Sequence, residues 1–259
     1  MNESSQTQRL RDKNVVVIGA SRGLGRSIVA AVSAEGARVL AVARKPEPLK
    51  QLAAEFPGLR ILALDATEEG APAKVFETLA PDVVVVCAGA IPHMAPLVEQ
   101  TWEQFSRNWN SDVKLSLLFL QAALTTPLPS GTTIILMSSG AAIGGSPLSG
   151  GYAGAKRTQM FLASYAQDES DNRSLGLRFL ALAPGGNILA ETELGQVAAS
   201  AYAAVRGVSM QDFIRGQRGQ HPQVTTELVA KAVIKLASQP QGGEGQSFLV
   251  TGAGVTLVS

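Results

Sequence analysis

The chain has 259 residues, of which 46% are hydrophobic and 17% are charged, whereas an average soluble domain has about 25% charged residues. This composition excludes intrinsic disorder for the body of the chain and indicates more buried surface than a monomer easily provides, which favours an oligomer. The formal net charge of +1 and the aromatic content of 5% argue against a nucleic-acid or anionic-membrane partner.

The longest apolar run covers residues 83–91, which is too short for a membrane span of about 20 residues. The polar N-terminal stretch, residues 1–14, lacks the apolar segment of a secretory signal. Cys87 is the single cysteine, which excludes an internal disulfide and a cysteine-based zinc cluster. No spacing of His, Asp or Glu suggests a metal site. We therefore expect a cytoplasmic protein without a metal and without a membrane partner.

Short β-branched runs alternate along the chain with longer helical patterns. Strands are predicted at 15–18, 38–43, 59–64, 83–87, 132–137, 177–183 and 248–250, and helices at 24–35, 47–55, 68–79, 101–124, 152–169 and 226–238. Several of these strands are apolar throughout, which is typical of strands covered on both faces of a parallel sheet. The alternation predicts a single doubly wound α/β domain over residues 13–259, after a flexible tail over 1–12. A Gly-, Gln- and Ala-rich stretch at about 186–222 is predicted to form a substrate loop.

A glycine-rich turn follows the first predicted strand. Gly19, Gly23 and Gly25 have the spacing G-x-x-x-G-x-G. Glycines allow a tight turn and a close approach of backbone N–H groups to a pyrophosphate, and the next helix presents its positive end to the same place. The turn therefore predicts a dinucleotide site, with contacts expected from Gly19, Ser21, Arg22, Gly23, Leu24 and Gly25.

The end of the second strand indicates which dinucleotide binds. NAD sites place a carboxylate there for the ribose 2′-hydroxyl, whereas NADP sites place an arginine nearby for the 2′-phosphate. Ala43 stands at the carboxylate position, and Arg44, Lys45 and Arg22 provide cations close by. Because guanidinium groups bind phosphate in a forked geometry, we predict NADP(H). The alternative is that these three residues are ordinary solvated charges.

Three polar residues lie at or after the end of the fifth predicted strand. Ser139 follows the strand, and Tyr152 and Lys156 are one helical turn apart on the same face of the next helix. Ligands bind at this carboxyl edge in α/β proteins. A free tyrosine has a pKa of about 10, and a nearby ammonium group favours tyrosinate. The three residues therefore predict proton transfer by Tyr152, with a pKa that Lys156 lowers.

With these motifs in this order, residues 13–252 resemble the short-chain dehydrogenase/reductase family. The resemblance implies a Rossmann-type sheet of about seven parallel strands and hydride transfer between a nicotinamide and a carbonyl or alcohol carbon. It makes Tyr152 the general acid for reduction and the base for oxidation, assigns the substrate oxygen to Ser139, and assigns the nicotinamide ribose to Lys156. Further cofactor contacts then fall on Asp65, Ala66, Cys87, Ala88, Gly89, Pro184, Gly185 and Ile188.

The chain departs from the family in three places. Val86 and Cys87 replace the two asparagines that usually precede Ala-Gly, and Cys87 is interpreted as a small buried residue. The family's asparagine, which helps to hold a water linked to the lysine, aligns with Asp112; either Asp112 takes that role, or Asn110 does after a shift in register. The threonine that often follows Pro-Gly aligns with Ala190, and Thr192 lies two positions later.

Two functions remain open. The first is an NADP(H)-dependent carbonyl reductase, or an alcohol dehydrogenase, that acts on a small molecule. The second is a dinucleotide-binding sensor or scaffold with weak or lost catalysis. His93 either lines the substrate mouth or is an ordinary loop residue. Trp102 and Trp109 are seven residues apart on the fourth predicted helix, hence on one face, and together with the resemblance they predict a homodimer or homotetramer.

Overall fold

The computed structural model describes residues 8–218, 222–239 and 244–258. Its strands are β1 (Asn14–Ile18), β2 (Arg38–Ala43), β3 (Arg60–Ala63), β4 (Val83–Val86), β5 (Thr133–Met137), β6 (Arg178–Pro184), β7 (Ser247–Thr251) and β8 (Gly254–Leu257). Its α-helices are α1 (Gly23–Ala34), α2 (Pro46–Glu55), α3 (Ala71–Thr78), α4 (Trp102–Asn108), α5 (Lys114–Thr125), α6 (Ala141–Gly144), α7 (Tyr152–Asn172), α8 (Glu193–Val205), α9 (Met210–Arg218) and α10 (Thr226–Ser238).

The strands form one sheet in the order β3-β2-β1-β4-β5-β6-β7-β8. The seven predicted strands are present to within one residue at each end, and they are parallel to one another. The doubly wound α/β prediction is therefore confirmed. The eighth strand, β8, was not predicted; it runs antiparallel to β7 after a tight turn and adds an edge strand to the parallel sheet.

Helices cover both faces of the sheet, which explains the uniformly apolar strands. In β1, Val15 and Val17 point into one core with residues of α1, α2 and α10. Val16 and Ile18 point into a second core with residues of α3, α5 and α7. Because successive side chains of a strand alternate between faces, a central strand of a doubly covered sheet has no solvent-facing position.

Two predictions outside the sheet need correction. Leu10 is buried in the first core, so packing begins before the expected boundary at residue 13, and residues 1–7 lie outside the described part. The predicted loop at 186–222 contains two helices, α8 and α9, which pack on each other through Ala199, Ala203 and Phe213. The alanines that suggested a loop are good helix formers, and this small core holds the two helices together.

The long helix predicted at 101–124 is interrupted. It begins with the capping box of Thr101 and Gln104, but a π-helical turn over Trp109–Val113 separates α4 from α5. Such turns add a residue to the helical repeat and are frequent at functional sites. Within the described residues, no helix is both long and apolar enough to cross a membrane.

Candidate active site

A cleft of about 1430 Å³ opens at the carboxyl edge of the sheet. Parallel strands bring their carboxyl ends to one edge, so the turns after β1, β2, β4, β5 and β6 meet there. All the predicted site residues line this cleft: Gly19, Ser21, Arg22, Gly23, Leu24, Gly25, Arg44, Lys45, Asp65, Ala66, Cys87, Ala88, Gly89, Asp112, Ser139, Tyr152, Lys156, Pro184, Gly185 and Ile188. Their roles are predictions that this placement permits.

The glycine turn leaves space that a side chain would fill. Gly19 has a φ of +87°, and a Cβ atom there would lie 2.6 Å from the backbone nitrogen of Ala88. A Cβ on Gly25 would collide with the carbonyl oxygen of Gly19. Arg22, the N-cap of α1, makes no side-chain cap, so the N–H groups of the first turn have no side-chain acceptor. This cradle fits the pyrophosphate of a dinucleotide.

Two of the three predicted cations lie at the end of β2. Arg44 and Lys45 follow β2 directly and line the cleft.

Asp65 accepts hydrogen bonds from the backbone nitrogen and the hydroxyl of Thr67, at 3.0 and 2.8 Å. These bonds, with a smaller contribution from Arg44, hold the pKa of Asp65 below its ordinary value. Arg22 forms an ion pair with Glu193 of α8, so the glycine turn is bridged to the α8–α9 segment.

Tyr152, Lys156 and Ser139 are assembled at the end of β5. Tyr152 is the first residue of α7, and the Lys156 ammonium lies 5.7 Å from the centre of its ring. Ser139 lies close enough to Tyr152 to lower the pKa of the Tyr152 hydroxyl. The Ser138 hydroxyl donates to the carbonyl oxygen of Lys156 at 2.7 Å, which fastens α7 to β5. The three groups that the sequence singled out are thus in one place, with Tyr152 and Lys156 both buried.

Asp112 forms a buried ion pair with Lys156. Its Oδ1 lies 2.9 Å from Lys156 Nζ, which also donates to the carbonyl oxygen of Met137 at 3.0 Å. Asn110, the other candidate, is exposed. The π-helical turn brings Asp112 inward, and Gly89 makes room for it, because a Cβ atom at Gly89 would lie 2.5 Å from Asp112 Oδ1. Asp112, and not Asn110, therefore lies beside Lys156, and its carboxylate faces the Lys156 ammonium group.

The second carboxylate oxygen of Asp112, Oδ2, accepts three hydrogen bonds. It accepts hydrogen bonds from the Ala90 backbone nitrogen at 3.0 Å, from Asn108 Nδ2 at 3.1 Å and from the Ser111 hydroxyl at 2.6 Å. Asn108 donates in addition to the carbonyl oxygen of Ala90 at 2.7 Å. These donors fix the carboxylate where it meets Lys156.

Sequence reasoning missed the residues that support Asp112. Asn108 and Gln159 are buried, and Gln159 donates to the backbone oxygen of Asp112, at 3.4 Å, and to the Ser116 hydroxyl, at 2.7 Å. The Ser116 hydroxyl donates to the same Asp112 backbone oxygen at 2.7 Å. A signal was present, because Asn108, Asp112 and Ser116 recur every four residues in a helical stretch that is otherwise apolar on that side.

The two charges of the pair stabilise each other. Burial raises the pKa of Asp112, but Lys156, the Ser111 hydroxyl and the Ala90 N–H outweigh it and hold that pKa below its ordinary value. Burial lowers the pKa of Lys156, but Asp112 and Tyr152 together outweigh it and the net pKa is raised. Both groups are therefore charged at neutral pH.

For Tyr152 the net direction differs from the expectation. Burial raises its pKa above the ordinary value, while Lys156 and Ser139 lower it and Asp112 raises it again. The lowering by Lys156 is present, but desolvation of the tyrosinate is the larger effect. Tyr152 is consequently protonated at neutral pH in this structure.

Two other residues singled out by the sequence, Cys87 and His93, differ in their position relative to the cleft. Burial raises the pKa of Cys87 to about 12, so the thiol stays protonated, in keeping with its interpretation as a small packed residue. His93 does not line the cleft, and its carbonyl oxygen accepts a hydrogen bond from the Gln100 amide. Within the described residues, no group of His, Cys, Asp and Glu is arranged to hold a metal ion.

The fold and these residues together agree with a comparison against known families. A sequence model described as short chain dehydrogenase matches residues 13–200. The chain belongs to the short-chain dehydrogenase family. The family match contains the glycine turn, Ser139, Tyr152 and Lys156, and it extends into α8.

Curated relatives are similar over parts of their length. L-xylulose reductase from Bos taurus is 32% identical over 41% of this chain and 43% of its own, so the chain spans less than half the length of that relative. Sorbitol dehydrogenase from Cereibacter sphaeroides is 30% identical over 68% of this chain and 71% of its own. Carbonyl reductase [NADPH] 2 from Sus scrofa is 32% identical over 38% of this chain and 41% of its own.

Proposed function

We propose that this short-chain dehydrogenase transfers a hydride between NADP(H) and the carbonyl or secondary alcohol carbon of a small molecule. The observation that carries the proposal is the position of Tyr152 beside Ser139 and Lys156, in the same cleft as the glycine turn. The relatives named as reductases and dehydrogenases support this class of reaction.

The cofactor is held by residues of the first half of the sheet. The glycine turn and the N-terminus of α1 receive the pyrophosphate, and Arg44 and Lys45 receive the 2′-phosphate. Ala43, at the end of β2, offers no carboxylate to a 2′-hydroxyl. The similarity to carbonyl reductase [NADPH] 2 from Sus scrofa supports the same choice. When bound, the cofactor supplies or accepts the hydride.

The protein's own part is to hold the reacting oxygen and to move one proton. Ser139 donates a hydrogen bond to the substrate oxygen, and Tyr152 donates its proton to that oxygen in reduction. Because Tyr152 is protonated at neutral pH, it is already the acid that reduction needs. Lys156 has three N–H donors. It donates to the carbonyl oxygen of Met137 and forms an ion pair with Asp112, which leaves an N–H for a ribose hydroxyl.

An exposed aromatic surface supports a homodimer or homotetramer. Trp102 is 78% exposed and Tyr165 is 61% exposed, and Phe161 stacks on Tyr165 with ring centres 6.2 Å apart. Large apolar groups left in water on α4 and α7 are typical of a surface that another copy covers. Cytoplasmic localisation remains a prediction of the composition alone.

The competing function, a sensor or scaffold without catalysis, is less well supported. Its basis was Asp112 and the altered Val86-Cys87 sequence. Asp112 pairs with Lys156 without displacing it from Tyr152, so the groups that move the proton are intact.

The test is Tyr152→Phe, which keeps the ring and removes the hydroxyl. With NADPH and a panel of ketones we expect turnover to fall by roughly 10²–10⁴-fold while NADPH binding is retained. Tyr165→Phe on the exposed side of the same helix is the control and is expected to keep full turnover. Full turnover by Tyr152→Phe refutes the proposed mechanism, and the absence of NADPH oxidation by the wild-type protein with every ketone favours the sensor.

A further inference from the structure

A stripe along α8 faces the cleft. Leu194, Ala198, Tyr202 and Arg206 are spaced every four residues and all line it. The first two are apolar, Tyr202 is a phenol, and Arg206, the C-cap of the helix, is a cation. With a rise of about 1.5 Å per residue, Arg206 lies about 6 Å beyond Tyr202 along the helix axis.

The position of this stripe is fixed at two points. The Tyr202 and Ser146 hydroxyls are 2.8 Å apart and hydrogen-bonded, which links α8 to the segment between Ser139 and Tyr152. The guanidinium of Arg206 lies over the Phe213 ring, 5.1 Å from its centre, and Phe213 is buried. Stacking on a buried ring restrains a long side chain, so less conformational freedom is lost when it binds a ligand.

The charge of Arg206 is not neutralised by the described residues. No carboxylate in the described part of the chain forms an ion pair with it. The acidic groups on this side of the cleft already have partners, since Glu193 pairs with Arg22 and Glu191 accepts a hydrogen bond from the Thr226 backbone nitrogen. A ligand with a carboxylate is therefore the natural partner of a guanidinium presented in this way.

Resting on the proposed function, we propose that Arg206 is a specificity-determining residue and that the substrate is a carbonyl compound with a carboxylate several bonds from the reacting carbon. The carbonyl group lies at Tyr152 and Ser139, the intervening chain follows the apolar part of α8 and Tyr202, and the carboxylate meets Arg206.

The experiment compares keto acids with their methyl esters. The probes are 4-oxopentanoate, 5-oxohexanoate and 6-oxoheptanoate, each beside its neutral ester, with NADPH oxidation as the readout. For the wild-type protein we expect a higher kcat/KM for at least one acid than for its ester, with a KM for the acid that rises with ionic strength. For Arg206→Gln we expect the KM of that acid to rise roughly fivefold or more, while the ester is unchanged. Arg206→Lys is expected to show a smaller rise in KM for the acid than Arg206→Gln, because lysine keeps the charge but lacks the paired N–H donors of a guanidinium group.

The matched control is Arg107→Gln, which removes another cleft-lining arginine, from α4, and is expected to leave the preference for the acid intact. The inference is overturned if the wild-type protein uses the acids and their esters equally well. It is also overturned if Arg107→Gln loses the preference for the acid while Arg206→Gln keeps it. In those outcomes the esters are still reduced and Tyr152→Phe still lowers their turnover, so the proposed function survives. If no probe and no ketone is reduced, the proposed function itself has failed.

Discussion

Replacement of Asp112 by Asn and of Lys156 by Met is expected to move the pH profile of alcohol oxidation in opposite directions. Oxidation requires Tyr152 to accept a proton, so its profile follows the pKa of that tyrosine. The Asp112 carboxylate raises this pKa and the Lys156 ammonium lowers it. Asp112→Asn should therefore lower the apparent pKa of kcat/KM for oxidation, and Lys156→Met should raise it. Turnover in reduction should be kept or increased in Asp112→Asn.

The same substitution should cost stability. The carboxylate of Asp112 accepts from three hydrogen-bond donors and pairs with Lys156, whereas an asparagine amide has one acceptor oxygen and must turn its NH₂ towards a donor. A buried donor left without an acceptor costs about 1–3 kcal/mol, and about 2 kcal/mol lowers the Tm of a chain of this size by roughly 4–8 °C. Folding lowers the pKa of Asp112 and raises the pKa of Lys156. The difference in stability between wild type and Asp112→Asn should therefore be present from about pH 4 to about pH 10, and it should vanish in acid, where Asp112 is protonated.

The assay is kcat/KM for oxidation of a secondary alcohol between pH 6 and pH 11, with thermal unfolding of each variant in parallel. Asp168→Asn, which removes a carboxylate from the exposed side of α7, is the control and should change neither profile nor Tm. A profile of Asp112→Asn that is unmoved or shifted to higher pH refutes the electrostatic reasoning, even if the stability loss is found. A profile shift without the stability loss refutes the inference that the three donors to Asp112 Oδ2 stabilise the fold.

Three further outcomes are expected. Arg44→Ala should weaken NADPH binding roughly tenfold or more and leave NADH almost unchanged, because a charge-assisted phosphate contact is worth about 1.5–3 kcal/mol; equal losses for both cofactors in a binding titration contradict the NADP(H) assignment. Gly89→Ala should destabilise the fold by about 1–3 kcal/mol in denaturant unfolding, since its Cβ meets Asp112, whereas Gly70→Ala has open space and should be neutral or slightly stabilising. Light scattering should show an assembly at micromolar concentration that Phe161→Glu disrupts, and a wild-type mass of 27.0 kDa rules the oligomer out.

The strands were predictable because their signal is local. A doubly covered parallel strand must be apolar at every position, and β4, with four successive valines, cannot be placed at a solvent-facing edge. The glycine turn was predictable for a similar reason. Gly19 combines a positive φ with a backbone contact that no side chain allows, and only glycine meets both demands.

The surroundings of Lys156 were predictable only in part. Helical spacing places Asp112 and Asn110 on different sides of a helix. Deciding which of them lies beside Lys156 requires the register of the helix, and the π-helical turn changes that register by one residue. The α8–α9 segment was missed for another reason. Its helices are stabilised by packing on each other and by the Tyr202–Ser146 and Arg22–Glu193 contacts, all of which join residues distant in sequence.

The direction of the Tyr152 pKa follows from the same long-range contacts. A lysine one turn away from a tyrosine is expected to favour tyrosinate, and the motif alone suggests a base. In this chain the ammonium of Lys156 faces a carboxylate at 2.9 Å, so its field at Tyr152 is partly cancelled, while burial of the hydroxyl penalises the charged form. A tyrosine that keeps its proton is suited to donate to a carbonyl oxygen near neutral pH, and oxidation then requires a more alkaline solution. The carboxylate that stands in place of the family's asparagine therefore adds to the effects that keep Tyr152 protonated at neutral pH.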